Sequence, residues 1–159
     1  MTVGMPSIRM MSEQRTLCDT NILVRMTDPE HPDHVDVKDE ISQLHARGID
    51  LVIVPQTCYE YYVVATRPTE QRGLGLSPDK ADSNINDLLG LFHLLLDDPE
   101  LLATWRALVK QYAVRGKQAH DARLVAAMRH HQISRIMTCN AKDFRRYEGL
   151  NIIEPCLAA

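Results

Sequence analysis

The segment LVIVPQTCYE, residues 51–60, decides the fold more than any other part of the chain. Its first four residues are apolar and mostly β-branched, which is typical of a strand covered on both faces, as in a parallel sheet. Pro55 ends this strand, and a helix is predicted from about residue 56 to 66. The segment therefore predicts one strand–helix unit of an α/β sheet.

Similar apolar runs recur along the chain and alternate with amphipathic helices. Strands are predicted at TLC (16–18), RIMT (135–138) and NIIE (151–154), while HLLL (93–96) is either a short third strand or the end of a helix. Helices are predicted at 22–26 with Thr20 and Asn21 as caps, at 35–46, after Ser77-Pro78, after Asp98-Pro99 and at 119–131. Alternation of strands and helices favours a parallel sheet with right-handed crossovers. The sequence therefore predicts a three-layer α/β/α sandwich with a central, mainly parallel sheet.

Length and composition indicate one globular domain. The chain has 159 residues, of which 45% are hydrophobic and 25% charged, and we expect a flexible N-terminal segment over 1–14 and a single domain over 15–159. No apolar run is long enough to cross a bilayer or resembles a signal peptide, so a cytoplasmic protein without membrane association is expected. The net charge of -3 gives no general attraction to nucleic acid, which would have to rely on a local basic patch or on metal ions.

Four acidic residues follow apolar runs or begin a helix: Asp19, Glu60, Asp121 and Asp143. In a parallel sheet, strand carboxyl ends and the helix N-termini that follow them lie along the same edge, where ligands bind. Clustered carboxylates repel one another, and a hard cation such as Mg²⁺ (or Mn²⁺) relieves that repulsion. Neutral oxygen-bearing residues beside the acids would support such a site: Thr20, Asn21, Thr138 and Asn140.

Each acid also has a local structural explanation. Asp19 is a possible turn residue or helix cap, and Glu60 stands three residues after Thr57, the spacing of a capping box. Asp121 lies in the first turn of its helix, where it would meet the helix dipole favourably, and Asp143 would complete a cap that starts at Asn140. Taken one at a time, these explanations compete with the metal site.

The four cysteines have no CxxC spacing, which argues against a structural zinc site. Cys18 and Cys139 end apolar runs and are predicted to be small buried hydrophobic residues without a redox role.

The ordered set of motifs resembles the PIN-domain family of metal-dependent ribonucleases and, within it, the VapC-like toxins of toxin–antitoxin pairs. The resemblance spans nearly the whole chain from about residue 15 and rests on these segments: DTN (19–21), PQTCYEYYVVATRP (55–68), RGLGLSP (72–78), HDARLVAA (120–127) and TCNAKDFRRYEGLNIIEP (138–155). It implies a PIN-like fold over 15–159, one or two Mg²⁺ or Mn²⁺ ions, hydrolysis of RNA phosphodiester bonds, a cognate antitoxin partner and a homodimer.

The resemblance also implies roles for individual residues. Asp19 and Asp121 would be the principal metal ligands, and Glu60 and Asp143 would be further ligands or bases that orient water. Asn140 departs from the pattern, because some family members carry an acid there, and this leaves Asp143 as the last carboxylate. An antitoxin segment would dock on the early helices, around Tyr59, Tyr61, Tyr62 and Val63. The alternative for these side chains is burial in the core.

Basic residues near the predicted edge are candidates for binding the RNA backbone: Arg25, Arg67, Arg72, Lys117, Arg145 and Arg146. Their simpler interpretation is a solvated surface. The main alternative for the whole chain is a catalytically silent PIN fold that acts as an RNA-binding or protein-interaction module. A haloacid dehalogenase-type phosphotransferase is disfavoured, because it needs a second Asp where Asn21 stands, and a receiver-like domain is disfavoured because the early acidic pair is absent.

Overall fold

A computed structural model describes residue 4 and residues 14–156 of the chain. Nearly all of the predicted N-terminal segment, residues 1–14, lies outside the described residues. The described part contains one five-stranded sheet in which all paired strands are parallel and the spatial order is β3-β2-β1-β4-β5. The strands are β1 (Arg15–Cys18), β2 (Asp50–Ile53), β3 (His93–Leu94), β4 (Arg135–Met137) and β5 (Asn151–Ile153).

Six α-helices connect or flank these strands. They are α1 (Thr20–Thr27), α2 (His34–Ala46), α3 (Pro55–Thr66), α4 (Pro78–Leu91), α5 (Leu101–Gln111) and α6 (Gln118–His130). Short 3₁₀ turns lie at Thr69–Gln71 and Ala141–Asp143. None of the helices in the described ranges combines the length and the apolar character that a bilayer span requires.

The sheet has two packed faces, each covered by its own set of helices. Leu17 of β1 belongs to a buried cluster with residues of α5 and α6, such as Leu108 and Val125. Cys18, the next residue, belongs to a second cluster with residues of α1 to α4, such as Ile22 and Tyr61. Because successive strand residues face opposite sides, β1 is covered on both faces. This confirms the predicted α/β/α sandwich with its parallel sheet.

The strand order creates a switch point beside β1. From β1 the chain moves outward through β2 to β3, and it then returns to β4 on the other side of β1. The register pairs Leu17 with Val52 on one side and with Ile136 on the other. In open α/β sheets, ligand crevices form at the carboxyl ends of strands at such a point. The fold thus places a crevice next to Asp19, which directly follows β1.

Most predicted elements are present, with some local differences. HLLL contributes a two-residue strand, His93–Leu94, which pairs with β2. The cap of α1 is Asp19, whose side chain accepts from the Thr20 N–H, so the prediction that Thr20 or Asn21 caps the helix is wrong. The Asp98-Pro99 start is displaced, because the regular helix begins at Leu101.

The structure decides one open alternative and corrects one prediction. Tyr61 is fully buried, as the core alternative for the early helices expects, with its hydroxyl bonded to Thr27 and to the Asn84 amide. The prediction that Cys139 is a small buried hydrophobic residue is wrong. Cys139 is only half-buried and forms a disulfide with Cys156, since the loop after β4 and the chain after β5 run side by side. Cys18 is fully buried and free, as predicted.

Candidate active site

A cavity of about 580 Å³ opens at the carboxyl edge of the sheet. Three of the predicted acids line it: Asp19, Glu60 and Asp121. Thr20, Asn21 and Asn140 line it as well, whereas Asp143 is not among the lining residues. The cavity therefore combines carboxylate, amide and hydroxyl oxygens on elements that are far apart in the chain.

Asp19 is the most deeply buried acid of the cavity, at 6% exposure. Its carboxylate accepts hydrogen bonds from the Thr20 N–H at 2.7 Å, from Thr138 Oγ1 at 2.8 Å and from Asn21 Nδ2 at 3.2 Å. Burial is the main cause that raises the pKa of Asp19 to about 6, and the charge of Glu60 adds to the rise. The three hydrogen bonds act in the opposite direction without cancelling the effect of burial. Asp19 is thus held in one orientation, and a nearby cation would stabilise its ionised form.

Glu60 projects from α3 and has both carboxylate oxygens bonded. Oε2 accepts from Thr20 Oγ1 at 2.7 Å, and Oε1 accepts from Gln56 Nε2 at 2.9 Å. The capping-box explanation for Glu60 fails, because Thr57 itself occupies the third helical position and its hydroxyl bonds the Val54 backbone. Glu60 therefore does not cap the helix, and its carboxylate bonds Thr20, the residue after Asp19.

Asp121 lies in the first turn of α6, as predicted, and is half-buried. Burial is the first cause that raises its pKa to about 7. The negative charges of Asp19, Asp143 and Glu60 add to the rise, and Arg146 opposes it. Asp19, Glu60 and Asp143 consequently all lie within electrostatic reach of Asp121, which the local sequence explanations did not require.

The loop after β4 completes the edge of the cavity. Thr138 Oγ1 donates to Asp19 and accepts from the Asn140 N–H at 3.0 Å. Asn21 links α1 to this loop, since its Oδ1 accepts from the Cys139 N–H at 3.0 Å. Asp143 follows in a 3₁₀ turn, next to the fully buried Phe144. The four predicted supporting residues thus take part in the cavity wall or in the hydrogen bonds behind it.

The donor set fits a hard divalent cation that keeps part of its water shell. In the described part of the chain, no three of the four acids have ligand atoms that all lie within 4.8 Å of one another. The carboxylates therefore do not enclose an ion completely. Mg²⁺ usually takes one or two protein carboxylates and completes its octahedron with water and phosphate oxygens, so it does not require a complete cage of protein ligands.

The predicted basic residues are distributed unevenly around this cavity. Arg25 and Arg72 line it. Arg25 is held by Asp33, with Nε 3.3 Å from Oδ2, and Arg146 donates to Gln118 Oε1. Four of the six predicted basic residues are not among its lining residues: Arg67, Lys117, Arg145 and Arg146.

Sequence reasoning missed several residues at the site, among them Asp28, an acid that lines the cavity just after α1. His31 lines the cavity, in a loop whose position only the fold determines. Gln56 lies behind Glu60 and bonds to it. The i, i+4 spacing of Gln56 and Glu60 on one helix was a signal that could have identified the pair.

Comparisons with known proteins agree with this geometry. A family model for the PIN domain matches residues 16–150 of the chain. Ribonuclease VapC48 of Mycobacterium tuberculosis is 31% identical over 140 residues, which cover 86% of this chain and 94% of that protein.

Solved structures show the same architecture. VapBC2 from Rickettsia felis, bound to a DNA fragment from its promoter, is similar with a TM-score of 0.67 at 14% identity, over 88% of this chain and 98% of that chain. A toxin–antitoxin complex from Klebsiella pneumoniae is similar with a TM-score of 0.61 at 21% identity, over 89% and 98% of the two chains. At these identities the likeness concerns the fold alone, and it agrees with the predicted three-layer sandwich.

Proposed function

We propose, from the premise that this chain belongs to the PIN domain family, that it is a ribonuclease and the toxin of a toxin–antitoxin pair. The family membership bears out the resemblance carried by the sequence motifs. We further propose that cleavage of RNA phosphodiester bonds depends on Mg²⁺ or Mn²⁺ and takes place in the cavity at the carboxyl edge of the sheet.

One observation carries the proposal of a metal-dependent site. Burial and, after it, the charges of the other three predicted acids raise the pKa of Asp121, and burial raises the pKa of Asp19 as well. Such an arrangement destabilises the fold at neutral pH unless a cation offsets it. A purely structural role for these acids would not require them to approach one another.

Each acid has a proposed role that follows from its surroundings. Asp19 and Asp121 would be the principal ligands. Burial and the repulsion between neighbouring carboxylates make their ionised forms costly, and a bound cation would offset that cost. Glu60 and Asp143 would be further ligands or would orient the attacking water. A bound Mg²⁺ or Mn²⁺ would supply the acidification of water and the compensation of phosphate charge that hydrolysis needs.

The remaining site residues would hold the acids and the substrate. Thr20, Asn21 and Thr138 fix the Asp19 and Glu60 carboxylates by hydrogen bonds, and Asn140 faces the cavity beside them. Six basic residues would bind the RNA backbone: Arg25, Arg72, Arg67, Lys117, Arg145 and Arg146. Arg25 and Arg72, which line the cavity, would contribute most.

The proposed partners are a cognate antitoxin and a second copy of the chain, in the cytoplasm. The Klebsiella pneumoniae structure is itself a toxin–antitoxin complex, which supports the antitoxin partner. Tyr59, Tyr62 and Val63 of α3 are exposed and would form part of the antitoxin-binding surface.

Cleavage of RNA by the purified, antitoxin-free chain tests the proposal. Structured and unstructured RNAs are incubated with the chain in Mg²⁺, in Mn²⁺ or in EDTA. Cleavage that requires the ion and disappears in Asp19→Asn, but persists in the exposed control Asp82→Asn, supports the nuclease. RNA binding without cleavage under every condition would identify the silent PIN module instead.

A further inference from the structure

Gln56 is a buried polar side chain that bonds two acid-bearing elements at once. It is 5% exposed, and its Nε2 donates to Glu60 Oε1 at 2.9 Å and to the His120 carbonyl oxygen at 2.8 Å. His120 directly precedes Asp121 in the first turn of α6. We propose that Gln56 is a positioning residue for the nuclease site, which fixes Glu60 and the start of α6 relative to each other. This inference rests on the proposed function and adds a residue to it.

The bond to His120 connects the two sides of the sheet. Gln56 and Glu60 belong to α3, which packs with the cluster on one face. Asp121 belongs to α6, which packs with the cluster on the other face. The Gln56 amide therefore reaches from the first helix layer to the second. Gln56 joins them within one residue of Asp121.

The Gln56 amide has one orientation that satisfies its neighbours. Two acceptors face Nε2, while Arg123 Nη1 donates to Oε1 at 3.2 Å. Turning the amide over would place its oxygen against a carboxylate and a carbonyl, and its NH₂ group against a guanidinium. Arg123 therefore supports the same orientation that Glu60 and the His120 carbonyl select, with the NH₂ group towards Glu60. Arg123 is itself held by Asp97, with Nη2 2.9 Å from Oδ2.

Gln56 acts behind the acids and has no place in the cavity wall. Neither Gln56 nor Arg123 is among the residues that line the cavity, so substrate contact is not expected. Glu60 Oε2 is already held by Thr20, and Gln56 holds the other oxygen. Loss of Gln56 would leave Glu60 attached at one oxygen and free to rotate. Partners that hold metal-binding carboxylates from behind typically change metal affinity or activity by about 10- to 100-fold when removed.

The test replaces Gln56 by methionine, which has a similar shape and no hydrogen-bond donor. In the full chain, Gln56→Met is expected to lower kcat for RNA cleavage about 10- to 100-fold, with KM for RNA nearly unchanged. Mn²⁺ affinity, measured by calorimetry without RNA, is expected to weaken about tenfold by the same reasoning. Gln43→Met, on the exposed side of α2, is the matched control and should leave both quantities unchanged.

A second variant separates positioning from general stability. Arg123→Met should cause a smaller loss of the same kind, and the double variant should be no worse than Gln56→Met, because Arg123 acts through Gln56. If Gln56→Met does not fold, the Mn²⁺ affinity and kcat of Arg123→Met decide the question alone. Wild-type kcat and Mn²⁺ affinity in the folded variants would overturn the proposal. If the wild-type chain binds Mn²⁺ but cleaves no RNA, the nuclease proposal fails, while the Mn²⁺ affinities still test Gln56.

Discussion

Replacing Asp121 by asparagine should stabilise the metal-free protein while destroying its activity. The pKa of Asp121 is raised to about 7 by burial and by three neighbouring acids. The folded state therefore keeps a proton that the unfolded state releases near pH 4. For this group, wild-type stability is undiminished below about pH 4, falls as the pH rises, and is lowest above about pH 7. Asparagine removes the charge and with it this pH-dependent loss.

The size of the effect follows from the shift in pKa. One unit corresponds to about 1.4 kcal/mol, so a shift of about three units sets an upper limit of about 4 kcal/mol. Asp121 is half-buried, and solvent screening reduces the expected gain to about 1–2 kcal/mol. For a chain of this length, such a gain raises Tm by about 2–8 °C.

Thermal unfolding in EDTA, followed by circular dichroism from about pH 4 to pH 8, measures the gain. Asp121→Asn should unfold at a higher temperature than wild type at the upper pH, and the difference should shrink towards the lower pH. Asp82→Asn, an exposed acid on α4, is the control and should change little. Mg²⁺ should raise the Tm of wild type and not that of Asp121→Asn. A variant that is no more stable than wild type in EDTA at pH 8, or equally stabilised at both extremes, would refute the reasoning.

Three further predictions concern protons, the buried hydroxyls and RNA. Mn²⁺ affinity should rise with pH from about 5 to 8, because the cation displaces protons from the two acids with raised pKa values; a flat calorimetric profile would contradict this. Thr138→Val removes a donor to Asp19 and should lower both the free energy of unfolding, by about 1–3 kcal/mol in a denaturant titration, and the cleavage rate. Thr16→Val is its matched control, since Thr16 Oγ1 is buried without a hydrogen-bond partner, and equal losses in the two variants would refute the contrast. Arg72→Asn should raise KM for RNA and reduce the salt dependence of binding by about one phosphate contact, without changing kcat. The exposed control Arg106→Asn should leave KM and the salt dependence unchanged. An unchanged KM in Arg72→Asn would remove Arg72 from the RNA-binding surface.

The strands and the acids were predictable because their signals are local. LVIV and the central residues of RIMT are apolar, and burial of a strand on both faces is typical of a parallel sheet, which places residues such as Asp19 at one edge. The capping-box spacing of Glu60 was a local signal as well, but Thr57 satisfies the helix start by itself. Here the tertiary contact to Thr20 determines the orientation of the acid.

Features that depend on contacts across the fold were not predictable in the same way. Tyr61 lies in a run of tyrosines, and its burial follows from the packing of α3 against α1 and α4, where Thr27 and Asn84 meet its hydroxyl. Cys139 and Cys156 carry no spacing signal, because two neighbouring strands bring them together. The bond from Gln56 to His120 likewise joins residues 64 positions apart.

The acids at the sheet edge are proposed to bind a divalent cation. The most direct measurement is anomalous X-ray diffraction from crystals of the antitoxin-free chain soaked in Mn²⁺. The expected result is a Mn²⁺ peak in the cavity within ligand distance of the Asp19 and Asp121 carboxylates, which disappears in Asp121→Asn crystals. The absence of a Mn²⁺ peak at the acids would contradict this proposal.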